Sequence, residues 1–526
     1  MKKRLYSFLF LPLTSLAHAQ RCTRSKTGAN VWLFALYCSC LFVPLFSACT
    51  TETVSDAKQE TVLPQIYPDY LGVTIPVNIA PLCFCMTDET ALRIDAVITD
   101  RHGHNLHSQG EESIDFDLDD WHALLGKNRG DSLTVTVSAK YADGWHTYRP
   151  FSIYVSPDSI DYGICYRLIE PGYEVWSKMG IYERKLSSFD EHPLIENTQF
   201  EGCVNCHSFN RGNPADMSLH IRGAHGATLL RHDDGPITAY DTKTDETLGL
   251  CVYPYWHPSG RYIAYSTNST SQLFHSADHN RIEVFDTASD LQIYDVDKNE
   301  LLLSALLKQD SIYETYPVFS ADGRSLYFCA ARALPEGSHQ LDSLHYNLCR
   351  IDFDPATGSF GSQIDIIIDA EAQHKSVSFP RPSYDGRFLC YTLSDYGQFS
   401  IWHHEADLYL LDLTTGESRP MANANSKDTE SFHNWSSNSR WLVFSSRRDD
   451  GLFTRPYFCH VDANGGVSKA FMLPQRNPRR FYNDRFLSFN VPDFIIRPTN
   501  FNGNKASRII NNEYRKTFGV RKAPTL

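Results

Sequence analysis

The chain has 526 residues, 49 of them Lys or Arg and 62 Asp or Glu, for a formal net charge of −13. With the six basic residues of 1–48 set aside, 43 basic remain against 62 acidic. That excess of negative charge excludes nucleic acid and anionic lipid headgroups as partners of the main body. Aromatic residues make up 13%, with 28 Tyr, 31 Phe, 26 Pro and 29 Gly, the profile of an all-β globular chain rich in turns.

Residues 1–48 hold no acid, and two export-like signals overlap in them. The first is Met1–Gln20, with a basic start and an Ala17-His18-Ala19 end. In the second, Arg21, Arg24 and Lys26 precede an apolar run from Val31 to Ala48. It ends Leu45-Phe46-Ser47-Ala48-Cys49, which resembles a bacterial lipobox with Phe46 where Leu, Val or Ile is usual. This predicts an export signal over 1–48 and a lipid on Cys49 that anchors the remainder in the cell envelope. The alternative is one spanning helix, since 18 apolar residues stand at the lower edge of what crosses a bilayer. Residues 49–65 are polar and unpatterned, a tether.

From 66 to 160 the apolar period is two. Leu92, Ile94, Ala96 and Ile98 alternate along one run, Ile114, Phe116 and Leu118 along another, and Leu133, Val135, Val137 and Ala139 along a third. A turn at Asp143-Gly144 leads into Trp145–Val155. Such alternation gives half-buried antiparallel strands and predicts a small β-sandwich-like domain.

Residues 161–490 repeat. Pro254…Gly260-Arg261…Tyr265 recurs as Pro317…Gly323-Arg324…Phe328 and as Pro380…Gly386-Arg387…Tyr391. A degenerate copy is His433…Ser439-Arg440…Phe444. Each copy makes a tight turn, enters an alternating strand, and is followed by a second strand closing on Asp295, Asp352, Asp412 or Asp462. Strands repeating at this interval predict propeller blades. Met179–Leu186 reads as the outer half of an earlier blade and Ala227–Tyr240 as a hairpin of another, which makes six. Phe486–Val491 is placed to close the ring, and 491–526 is a basic tail, solvated or packed on the body.

The turns, with their Pro-x-aromatic-Ser-x-Asp-Gly-Arg pattern, resemble those of TolB-type β-propellers; Pro382 and Ser439 depart from it. The resemblance is firm over 250–485 and weak over 160–250, and it implies a TolB-like propeller fold.

Cys203-Val204-Asn205-Cys206-His207 is the attachment pattern of a c-type haem. The thiols add to the porphyrin vinyl groups and His207 follows as proximal iron ligand. A structural disulfide and half a zinc site are the alternatives, but zinc needs a second close pair of ligands and the next thiol, Cys251, stands alone. The segment 201–224, with Gly202, Gly212, Pro214 and Gly223, reads as a loop inserted between two blades. It resembles the haem loop of a group of exported TolB-like proteins, in which Pro-x-x-Met-x-x-His-x-Arg-Gly trails the attachment motif. Position by position, the resemblance implies Met217 or His220 as distal ligand and Arg222 on a haem propionate. Met217 and His220 share one face if a helical turn forms.

Cys83, Cys85, Cys165, Cys251, Cys329, Cys349, Cys390 and Cys459 read as buried thiols of apolar strands, and no disulfide pairing is assigned. His102, His104 and His107, and the pair His403-His404, read as solvated imidazoles. No Gly-x-Ser-x-Gly elbow is present, so a hydrolase of the prolyl oligopeptidase type is excluded. Two functional readings follow. One is an exported, lipid-anchored mono-haem c-type protein in electron transfer or redox sensing. The other is a non-redox platform whose propeller funnel binds an envelope protein, peptide or glycan, with Cys203 and Cys206 as a disulfide. Neither names a catalytic residue.

Overall fold

The computed structural model describes residues 52–171, 177–335, 337–338, 340–512 and 514–525. The export signal and Cys49 lie outside the described residues. Among the described residues no helix is long and apolar enough to cross a membrane.

Ser132–Tyr141 organises the first domain. Through Thr134–Lys140 it pairs with Arg93–Thr99, which pairs with Asn105–Gly110. On its other edge it forks. Ser132–Val135 take Phe151–Ser156, and Ser138–Tyr141 take Gly144–Thr147. Thr74–Pro76 and Lys58–Gln59 extend the two arms in parallel, giving seven strands. Lys58 and Gln59 thus belong to the sheet, although the sequence places them in a tether. Alternation puts Ile94, Ala96, Ile98, Leu133, Val135 and Val137 in the core.

The expected strand over 114–118 is instead a loop running into the helix Leu118–Lys127. The Asp117 side chain accepts hydrogen bonds from the N–H groups of Asp119 and Asp120, which caps the helix. Asp119 and Asp120 also complement its N-terminal dipole. Trp121, Leu124 and Leu125 then fall on one buried face, and Trp121 Nε1 donates to the Ile79 carbonyl at 2.9 Å. The acids that mimicked a strand alternation are cap and first-turn residues.

Six antiparallel sheets follow between 163 and 495, the blades of a β-propeller. Their innermost strands are Ser488–Ile495, Cys203–Asn210, Val252–Trp256, Ile312–Phe319, Ser376–Pro382 and Glu430–Trp435, numbered here blades 1 to 6. The repeat turns link each inner strand to the second. Gly260, Gly323 and Gly386 have φ of 77°, 72° and 74°, the left-handed conformation glycine adopts without a Cβ penalty. Ser439 holds the same conformation at φ 59°. Ser488–Ile495 pairs with Gly163–Ile169, so blade 1 is built from both ends of the propeller chain. The ring therefore closes as expected, five residues beyond the predicted boundary at 490.

The tail is packed, not free. After the helix Gly503–Asn511, Lys516–Thr517 and Gly519–Lys522 add in parallel to the outer edges of blades 2 and 3. Phe518 between them stacks on Tyr294 with centroids 3.9 Å apart. One apolar core runs from the first domain into blade 6, joining Ile94 and Val135 to Trp441 and Phe458. His460 Nε2 on Asp158 at 2.8 Å and Lys469 Nζ on Asp69 at 2.7 Å tie the same seam.

Candidate functional site: the propeller axis

All six inner strands carry one bulge at the same place. The pairing skips at Asn205/Ser208, Val252/Tyr255, Thr315/Val318, Ser378/Arg381 and Ser431/Asn434, and opposite Cys165/Arg167 for blade 1. The bulged residues are Cys206, Tyr253, Tyr316, Phe379, Phe432 and Val491, all at positive φ between 38° and 53°. Bulky side chains enter that region at a cost of roughly 1–2 kcal/mol each. The surrounding ladders hold all six there, and each bulge re-aims its strand. The next residue is Pro254, Pro317, Pro380 or Pro492 in four blades and His207 or His433 in two. An unpaired bulge position needs no N–H, so proline is free to occupy it.

The bulged residues form a ring around the axis. Tyr253 meets Tyr316 at 4.7 Å between centroids, Tyr316 meets Phe379 at 4.1 Å and Phe379 meets Phe432 at 4.9 Å. Val491 and Cys206 complete it. The loop 395–405 of blade 5 covers one side of the ring. Tyr316 OH donates to the Gln398 carbonyl at 3.1 Å, and Ser400 Oγ bridges Ser378 at 2.7 Å and Ser431 at 2.9 Å. The long hairpin Tyr262–Phe274/Ile282–Asp295 of blade 3 straps that loop down. Glu283 takes Tyr396 OH at 2.6 Å and His403 Nε2 at 3.2 Å, and His403 Nδ1 lies 3.0 Å from Glu405. His403 is therefore buried in an ion-pair clamp, not solvated as its loop position suggests. Burial works against its charge, but the hydrogen bonds to Glu283 and Glu405 prevail and hold it up at about 9.

On the other side of the ring the axis widens into a pocket with about 1110 Å³ of empty space, its open mouth included. Tyr255, Trp256, Phe319 and Tyr384 line it, with Arg167, Arg211 and Arg381 as its cations and Asp493 as its one acid. Arg381 lies over the Tyr255 ring at 5.5 Å and Arg211 over Tyr384 at 5.7 Å. Among the described residues none of the three guanidiniums has a carboxylate within 4.0 Å. Burial raises the Asp493 carboxyl to about 7.

The haem-motif residues occupy the same framework. The segment 201–224 is not an inserted loop; Cys203–Asn210 and Asn213–Arg222 are the first two strands of blade 2. His207 is buried with Nε2 3.4 Å from the Cys165 carbonyl on the second strand of blade 1. His433, with no CxxC before it, makes the equivalent contact at 3.0 Å to Cys390 on the second strand of blade 5. The His207 imidazole therefore sits where the propeller repeat itself puts one. On the neighbouring strand Met217 and His220 are three apart and face opposite ways, because a strand has period two. Met217 packs in the core with Phe209 and Leu219, while His220 lies 3.2 Å from Thr228 Oγ1. Arg222 is in register with Cys203, which is half-buried, and both thiols of the motif are free. Cys206 and His207 line the axial pocket, whereas Met217 and His220 diverge into packed interior and do not reach it. The other eight cysteines among the described residues are buried free thiols, as their strand patterns indicate.

His104 and His107 bond Asp100 and Asp95 at 2.8 and 2.6 Å near the surface of the first domain. Asp216, His232 and Asp233 group within 4.8 Å outside the pocket. There Asp216 already accepts from His232, Asn210 and the Asp233 N–H. The ring and the pocket arginines were missed by sequence reasoning. A trace of the ring was legible, since Tyr253-Pro254, Tyr316-Pro317 and Phe379-Pro380 put an aromatic before the first proline of each repeat.

No family model and no curated protein matches the chain. Among solved structures it is similar to an Agrobacterium tumefaciens protein described as TolB, at 13% identity and a TM-score of 0.35 over 61% of this chain and 93% of that one. It is similar to prolyl oligopeptidase B from Galerina marginata at 11% identity and TM-score 0.35, over 58% of this chain and 41% of that one. A Bacteroides thetaiotaomicron structural genomics protein matches at 10% identity and TM-score 0.29, over 78% and 98%. At TM-scores below 0.5 these likenesses carry no argument about activity.

Proposed function

We propose that this protein is a non-redox binding propeller of the cell envelope, held to a membrane by lipid on Cys49, that takes its ligand into the axial pocket. The observation that carries this reading is the pocket itself, blind behind the aromatic ring and lined by three arginines without carboxylate partners. Concave aromatic walls with a few convergent polar groups are the usual form of a small-ligand site.

Two measurements test it. Residues 50–526, exported with haem-maturation machinery present, are expected to be colourless with Cys203 and Cys206 titratable as thiols. A Soret band that survives acid–acetone extraction and is lost in Cys203→Ala would establish the haem reading instead. In a thermal-shift screen of small organic compounds, hits should stabilise the wild type and not Ser208→Trp, which fills the pocket wall. A screen whose hits all act equally on both proteins would remove the binding reading.

A further inference from the structure

The pocket's unspent polar atoms specify a chemistry. Many arginines elsewhere on this acidic chain pair with carboxylates, as Arg261 with Asp295, Arg387 with Asp412 and Arg485 with Glu191, though Arg184 and Arg231 also donate only to backbone carbonyls. In the pocket, Arg167 reaches Asn205, Arg211 the Ala321 carbonyl and Arg381 the Pro380 carbonyl, all neutral acceptors. The single acid, Asp493, takes a hydrogen bond from Asn434, and its elevated pKa leaves it only partly ionised at neutral pH. Guanidiniums so placed recognise a carboxylate or phosphate.

His207 and His433 bear on the pocket's charge. A backbone carbonyl only accepts, so each Nε2 contact to Cys165 or Cys390 puts the proton on Nε2. Burial depresses these imidazoles to about 4 and about 3, so both are neutral. Both Nδ1 atoms are closed off inside the wall, so the two residues add no charge to the pocket they line. The remaining wall is aromatic.

Resting on the binding reading above, we propose that the pocket receives the carboxylate end of an apolar ligand, on a peptide or on a free aromatic acid. The carboxylate lies on the guanidiniums, and the apolar body packs on Tyr253, Phe379 and Phe432 of the ring.

Calorimetry on residues 50–526 tests this with four probes: Ac-Ala-Ala-Phe, its C-terminal amide, N-acetylphenylalanine and 3-phenylpropionate. The free acid is expected to bind at least about tenfold tighter than the amide. That preference should shrink in Arg381→Gln and in Arg211→Gln, with unchanged circular dichroism as the check on folding. N-acetylphenylalanine and 3-phenylpropionate, which share the carboxylate and the phenyl ring, should both bind. Comparing the tripeptide with N-acetylphenylalanine separates a peptide end from a free amino-acid derivative. Amide and acid binding equally would overturn the carboxylate assignment. So would no binding of any probe alongside screen hits that Ser208→Trp abolishes, and in both cases the binding reading itself stands.

Discussion

Glu314, on the inner strand of blade 4, is 1% exposed, and neither carboxylate oxygen has a hydrogen-bond partner. Burial, with Asp290 nearby, raises its pKa from 4.5 to about 9. A group whose pKa rises on folding stabilises the folded state fully below its unfolded value, and that contribution is lost as pH climbs toward the folded value. Each unit is worth about 1.4 kcal/mol, so between pH 4.5 and 7 the wild type loses about 3 kcal/mol through this one carboxyl. Glu314→Gln removes the ionisation and keeps the shape. The unpaired amide adds a constant offset, so the diagnostic quantity is the slope. Urea unfolding at half-unit steps from pH 4.5 to 7 should show the variant gaining about 3 kcal/mol on the wild type across the range. Parallel stability curves would refute the reasoning, because they would mean that the carboxyl ionises in the folded protein much as it does unfolded.

Three further outcomes follow from the geometry. The clamp on loop 395–405 has a pH window: the His403 contribution is whole below 6.5 and lost as pH rises through about 9, while that of Glu405 is whole above 4.5 and lost as pH falls through about 2. Hydrogen exchange, corrected for intrinsic rates, should show this loop best protected between those limits, and His403→Ala should release the loop and the hairpin tip while blade 1 keeps its protection. A Cβ at Gly323 would stand 2.0 Å from His257 Nε2 at a φ of 72°, so Gly323→Ala should cost about 2 kcal/mol or more in urea unfolding, partly recovered in the double variant with His257→Ala. His207→Pro should cost at most about 1.5 kcal/mol, since four blades carry proline there and only the Cys165 contact is lost; Val204→Pro, two residues into the paired part of the same strand, should cost about 3 kcal/mol or more, as read by thermal unfolding.

Two failures of the sequence reading share one cause. Ile114, Phe116 and Leu118 alternate with acids, yet Asp117 caps a helix, because a capping carboxylate and a solvent-facing strand residue look alike in one dimension. Cys203-Val204-Asn205-Cys206-His207 reads as part of an inserted loop, yet Cys206 and His207 are the bulge residue and its follower in a sixfold framework. Only alignment of His207 with His433 through the sheet register exposes this, since the turn pattern used to find the repeats is shortened in blade 2 to Asn210-Arg211-Gly212.

Local chemistry determined a great deal without the fold. The period-two runs, the left-handed turn glycines at 260, 323 and 386, and the closing strand near 488 all follow from interactions within a few residues, and they are enough to build six blades. Tertiary structure decided the rest. Arg167, Arg211 and Arg381 stand more than forty residues apart or on different blades, and no sequence window contains more than one of them. Closure of the ring brings them onto one axis. The same closure puts Cys206, Tyr253, Tyr316, Phe379, Phe432 and Val491 side by side, because a bulge turns each strand inward at equal distance from the axis.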